Sequence, residues 1–221
     1  MYNFPFIHSV IERNPSVSLL RQPLADSVGM LAGSIRSGGK ILLCGNGGSA
    51  ADAEHIVGEL MKGFLAPRPL LPEQRQSLET AFPGYGPRLA SMLQRAVPAI
   101  SLVSSVSFST AFSNDVAQEY VFAQQVFGLA KEGDVLWGLS TSGNSQNILH
   151  AFRVARALKV KTLGFTGRDG GEIAALCDIE IRVPLSETPL IQELHLPLYH
   201  AVCAELEAIL FGFDKETVIN D

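Results

Sequence analysis

The chain has 221 residues, 47% of them apolar, and a formal net charge of −5. That length suits one large α/β domain with a helix or two to spare, and the apolar share suits a sizeable core. The negative balance, with no run of basic residues, argues against a nucleic-acid surface.

Residues 1–36 read as helical, broken near Asn14-Pro15, with Pro23 in the first turn of a second, amphipathic helix. Residues 40–44 form a short buried-strand pattern, followed by Gly45-Asn-Gly-Gly-Ser49 and a helix over about 50–64. The glycines allow a sharp turn and close approach of backbone to a ligand. The helix start offers free N–H groups and a partial positive charge to a phosphate or carboxylate. His55 and Glu59 stand four residues apart on one face of that helix, a pairing suited to acid–base work or to a metal. Two better-known glycine loops do not fit. A Walker loop needs Lys-Ser or Lys-Thr after its last glycine, and Ser49-Ala50 stands there. A dinucleotide fingerprint needs an acidic residue closing a second strand about 20 residues on, and that region reads as helix and then proline-rich segment.

Residues 65–98 break the rhythm, with Pro67, Pro69, Pro72, Pro83, Pro87 and Pro98. They read as a helix over about 72–80, a turn at 82–86 and a helix over about 87–96 whose apolar stripe is Leu89, Met92, Leu93 and Ala96. The expectation is a packed hairpin decorating the sheet edge, with Arg68, Arg75, Arg88 and Arg95 solvated and their stems on apolar surface.

Strand patterns recur at 99–103, 134–139, 162–166 and 178–183, separated by helical stretches at about 109–130, 145–159, 170–176 and 189–211. Short apolar runs alternating with helices predict right-handed βαβ units. The fold class is therefore α/β, a doubly wound parallel five-stranded sheet flanked by helices, with ligands at the carboxyl ends of strands. The second such end carries Ser140-Thr-Ser-Gly-Asn-Ser145, four hydroxyls and a glycine before a helix. One hydroxyl suffices for a cap, so four point to a neutral anion cradle. The last helix carries Gln192, Glu193, His195 and His200. Gln192 and His200 lie about 80° apart in azimuth, His195 faces elsewhere, and Pro197 should kink the helix. A lone His200 would read as a satisfied core group; His55 and Glu59 change that balance. Cys44, Cys177 and Cys203 are isolated and read as reduced small hydrophobes. No signal peptide is evident, and no apolar run approaches the roughly 20 residues of a membrane span, so a soluble cytoplasmic protein is expected.

The motifs Gly45-Asn-Gly-Gly-Ser49 with Asp52, His55 and Glu59, Ser140-Thr-Ser-Gly-Asn-Ser145, Thr166-Gly-Arg-Asp-Gly-Gly171 and Ile191-Gln-Glu-Leu-His195 together resemble the sugar isomerase (SIS) domain. Within it the resemblance is to the phosphoheptose isomerase family, which converts sedoheptulose 7-phosphate to glycero-manno-heptose 7-phosphate for lipopolysaccharide or heptose biosynthesis. It runs over residues 20–211 apart from the insertion 65–98. It implies one SIS domain over 1–221, with an N-terminal helical segment 1–36, and a homotetramer with sites at subunit interfaces, the helix 23–36 buried between subunits. It implies phosphate binding by Ser140, Thr141, Ser142 and Ser145, and substrate contacts from Asn46, Gly47, Gly48, Ser49, Asn114, Asp115 and Gln192. His55, Glu59, Gln192 and His200 match the positions that hold zinc in several relatives, with Glu59 and His200 as acid and base through an enediol. The chain departs from the family pattern at Lys62-Gly63, where an arginine is common, at Thr188-Pro189-Leu190, and in the length of 65–98. A different class of reading is a non-catalytic SIS adaptor of the replication-initiator-associating type, and a third a sugar-phosphate sensor. The constellation of four polar residues favours the enzyme, since a scaffold has no need of it.

Overall fold

The computed structural model describes residues 4–212. Five strands, β1 (Ile41–Gly45), β2 (Ala99–Ser101), β3 (Val135–Ser140), β4 (Lys161–Thr166) and β5 (Ile179–Arg182), pair in parallel in the order β2-β1-β3-β4-β5. The chain leaves β1 toward one edge and returns to β3 on the other side, so the switch point lies between the carboxyl ends of β1 and β3. Every residue of β1 and β3 is buried, which is why these strands read as continuous apolar runs.

Alternate side chains feed two cores. Ile41, Leu43, Val135, Trp137, Leu163 and Phe165 face one layer, formed by α1 (Pro5–Arg13), α2 (Arg21–Arg36), α3 (Gly48–Met61) and α9 (Thr188–Phe211). Leu42, Cys44 and Leu136 face the other, formed by α7 (Val121–Leu129) and α8 (Gln146–Ala157). In α2, Leu24, Val28 and Leu31 are already fully buried against the chain's own core, so the apolar face of this helix is used within the chain.

Three expected helices are cut short. The stretch 109–130 is α6 (Val106–Phe112), a π-turn at Ser113–Ala117, a 3-10 turn at Gln118–Tyr120 and then α7. Ser113, Asn114 and Asp115 are residue types that weaken a helix interior, and Val121, Phe122 and Val126 restart the helix on the sheet. At 170–176 only Ala174–Leu176 turns helically, because Gly170 and Gly171 take φ of +85° and +55°. In the insertion, α4 (Pro72–Ala81) and α5 (Gly86–Met92) form the hairpin, but α5 ends early: Leu93 is extended, and Gln94 bridges Pro69 in antiparallel fashion. Met92 is 72% exposed and Leu93 49%, so the expected apolar stripe is not buried in the chain. The insertion's arginines also depart from expectation at one position, since Arg68 is buried.

Helix α9 continues through Pro197 for 24 residues. By length and average composition it is apolar enough to cross a membrane, although Gln192, Glu193, His195, His200, Glu205 and Glu207 interrupt any continuous apolar run. It is a core helix, with Ile191, Leu198, Val202 and Leu206 fully buried. Cys44 and Cys203 are buried, and burial pushes the Cys44 thiol up to about 12.

Candidate active site

The site begins where β1 gives way to α3. A Cβ on Gly45 would lie 2.2 Å from the Ser49 carbonyl oxygen, and Gly47 takes φ +56°. Only glycines close this turn, and the turn starts α3 inside the loop itself. Across the switch point, β3 gives way to the serine loop. Gly143 takes φ +65°, and a Cβ there would lie 1.8 Å from the Gly170 carbonyl oxygen, so the Gly170-Gly171 turn buttresses this loop from below. The Ser145 hydroxyl contacts the Ser140 hydroxyl at 3.2 Å and does not cap α8. Neither α3 nor α8 has a side-chain cap. Two uncapped helix starts therefore flank one cavity of about 400 Å³.

Asn46, Gly47, Gly48, Ser49, Ser140, Thr141, Ser145 and Gln192 line that cavity together with Leu139 and Thr188. Ser142 lies in the same loop, its hydroxyl accepting the Asn144 N–H at 3.2 Å. Asn114 and Asp115 do not line it: they pair with each other at 2.9 Å on the exposed π-turn. A residue the sequence reading passed over, Asn147, exchanges two amide hydrogen bonds with Asn46, each 2.9 Å, and ties the glycine loop to the serine loop. Its place in the first turn after the serine loop was the available signal.

A second polar level lies further along α3. Helices α3 and α9 run side by side in the same direction: Gln192 packs on Gly48, Tyr199 on Asp52 and His55, and His200 on His55. From Gly48 to His55 is about 10 Å of helix rise. His55 Nε2 lies 3.2 Å from Glu59 Oε1 and 3.4 Å from His200 Nε2. Gln192 is not at this point; it stays at the cavity, eight residues back along α9. Among the described residues no group of three or more His, Cys, Asp or Glu is drawn together into a metal-binding arrangement. His55 stands between Glu59 and His200.

Hydrogen bonding orders this level. Tyr199 donates to Asp52 Oδ1 at 3.2 Å, and its oxygen lies 3.0 Å from His55 Nδ1. With the Tyr199 proton on Asp52, His55 Nδ1 is the N–H donor and Nε2 carries the lone pair, a tautomer assigned from the network. That lone pair then faces a carboxylate oxygen and a second imidazole. Zinc takes these donor types, two imidazole nitrogens and a carboxylate oxygen, but the three side chains are not gathered around one point. Burial raises the Asp52 carboxyl above its ordinary value, opposed by Tyr199 and His55. Burial, with His55 adding to it, lowers the His200 imidazole, while Glu59 acts the other way. Lys62 holds the other Glu59 oxygen at 3.1 Å. His195 faces elsewhere, as its azimuth predicts: it is fully buried, with Nε2 3.0 Å from the Thr166 carbonyl.

Comparison with known proteins follows the same motifs. The SIS domain family matches residues 6–81 and 78–167. A phosphoheptose isomerase of Burkholderia pseudomallei is 45% identical over 179 residues, 81% of this chain and 78% of that protein. One from Aliarcobacter butzleri is 40% identical over 187 residues, 85% of each. The solved structure of the phosphoheptose isomerase GmhA from Neisseria gonorrhoeae superposes with a TM-score of 0.71 at 33% identity, covering 91% of this chain and 94% of that one. A Francisella tularensis phosphoheptose isomerase gives 0.70 at 29%, covering 92% and 95%. On this evidence the chain belongs to the SIS domain family, in its phosphoheptose isomerase branch.

Proposed function

We propose that the chain is an aldose–ketose isomerase converting sedoheptulose 7-phosphate to glycero-manno-heptose 7-phosphate. The observation that carries the reading is the two-level site: an anion cavity between two uncapped helix starts, and an acid–base cluster about 10 Å along α3. An extended seven-carbon chain, with carbon–carbon bonds near 1.5 Å, places its phosphate on the order of 9–10 Å from C1 and C2. A five-carbon sugar falls short by about two such bonds.

The serine loop holds the phosphate with hydroxyls and backbone N–H groups. Asn46 and Gln192 meet sugar hydroxyls along the way. Glu59 takes the C1 proton, giving an enediol, and returns it to C2. His200 moves the matching proton between the oxygens on C2 and C1; burial, with His55 adding to it, lowers its imidazole from the ordinary value. Held by His55, Glu59 and His200, a zinc ion would polarise the substrate carbonyl in place of the His200 proton transfer, and would require the three side chains to turn toward one point. Gln192 joins that set only if its side chain swings away from Gly48. We read the enzyme as a cytoplasmic homotetramer. The exposed Val106, Val116, Tyr120, Phe127 and Leu129 around α6 and α7 support association between copies.

The direct test is turnover of ketose phosphates of five, six and seven carbons, followed by NMR. The seven-carbon sugar should give the highest kcat/KM. Turnover of none, with phosphosugar binding retained, would move the adaptor reading to the front.

A further inference from the structure

The Arg68 guanidinium is 1% exposed and its partner Glu207 not at all. Arg68 Nε donates to Glu207 Oε1 at 2.5 Å. Its two terminal nitrogens donate to the last carbonyls of α3, Leu60 at 2.7 Å and Glu59 at 3.0 Å. Glu207 also accepts the Phe64 and Leu65 N–H groups, each at 2.8 Å, and so fixes the chain just after α3. The Phe64 ring in turn packs on His200, with centroids 5.5 Å apart. Arg68 lies over the Phe211 ring at the end of α9.

The contacts reach the proposed catalytic pair from both sides. The Glu59 backbone hangs from Arg68, and the His200 ring rests on a residue held by Glu207. Carbonyls at a helix end lack intrahelical partners, and a buried cation there holds them in one geometry. A methylene-scale shift of this end would move the Glu59 carboxylate relative to His55.

We propose that the Arg68–Glu207 pair is a positioning device for Glu59 and His200. The inference rests on the isomerase reading, and Arg68 acts through other groups without touching substrate. It predicts a loss confined to kcat, because the phosphate cavity lies at the far end of α3. The test compares Arg68→Lys, Glu207→Gln and the exposed hairpin control Arg88→Met, measuring kcat and KM on sedoheptulose 7-phosphate. The ¹⁵N imidazole signals of His55 and His200 are recorded in parallel. Arg68→Lys keeps the charge but cannot serve Glu207 and two carbonyls in a plane. Its kcat should fall about 10- to 100-fold, the scale of a small misplacement of reacting groups, with KM within about twofold. The imidazole signals should move, and the control should change neither readout. If Arg68→Lys does not fold, Glu207→Gln carries the same expectation. Unchanged kcat and unmoved imidazole signals in a folded variant would overturn the proposal, as would a KM rise as large as the kcat loss. If wild type turns over no sugar phosphate, the isomerase reading fails, and the imidazole signals alone decide whether the pair positions these side chains.

Discussion

Helix pair α3–α9 and hairpin α4–α5 follow opposite rules. Along α3 and α9 the polar side chains meet partners across the helix interface, at Gln192 and Gly48, Tyr199 and Asp52, and His200 and His55. The hairpin buries no residue of α4 and packs mainly on itself. Its anchors are at the neck: Arg95 N–H on the Arg68 carbonyl, the Pro69–Gln94 bridge, and Gly63 N–H on Gln94. An amphipathic pattern is thus no guarantee of burial. The length of a loop is energetically cheap where few contacts cross from it to the body.

That contrast sets an order of expected effects. Glu59→Gln keeps the volume and removes the base, so kcat should fall by at least about 10²-fold while phosphosugar affinity by calorimetry stays close to wild type. Near-normal turnover would break the assignment of chemistry to the α3–α9 pair. The next effect is on stability. Burial drives the His195 imidazole down to about 4 from an ordinary 6.5, and among the described residues its Nδ1 has no partner to receive a proton. The unfolded chain therefore binds the extra proton first, so the stabilisation from neutral His195 is complete above about 6.5 and is lost as pH falls toward 4. At roughly 1.4 kcal/mol per unit the loss is on the order of 3 kcal/mol. Urea unfolding across that window in wild type and His195→Asn checks it; equal slopes in both would remove His195 as the cause. Third, Ser145→Ala with Ser142→Ala should weaken phosphosugar binding by about 1–3 kcal/mol, the scale of hydrogen bonds to a charged group. Unchanged affinity by calorimetry would take the phosphate away from the serine loop. Smallest, Met92→Ser on the exposed face of the hairpin should shift stability by no more than about 0.5 kcal/mol. A larger loss in dilute solution, vanishing when association is blocked, would show that the hairpin is covered by another copy.

Much of this was legible in the sequence because the relevant physics is local. Strands buried on both faces appear as plain apolar runs, as in Ile41–Gly45 and Val135–Ser140. The two glycine and serine loops declare themselves by composition, and His55–Glu59 by helical spacing. Features that depend on distant partners were not legible. Arg68 looked like any solvated arginine, since its carboxylate stands 139 residues away. Gln192 and His200 looked like one ligand set, whereas the parallel course of α3 and α9 assigns them to different levels. The break at Ser113–Ala117 was hidden because the apolar pattern resumes in phase with a helix at Val121. Tyr199 was passed over beside the more conspicuous His200, although it orders both Asp52 and His55.

Helix α9 also has a consequence for how the molecule is made. Its contacts to the N–H groups of α1, to Asp52 and His55, and to the segment after α3 span 139 to 199 residues. Such high-order contacts close slowly and late, after the loop entropy of the intervening chain has been overcome. A ribosome-bound chain ending just after β5 would carry its sheet and both ligand loops yet lack Tyr199, His200 and Glu207. The faces of α1, α2 and α3 that α9 covers would then be open, and the core would lack Ile191, Leu198, Val202 and Leu206. Until α9 docks, the nascent chain is inactive and sticky, and transient aggregation or chaperone capture is expected at that stage of synthesis.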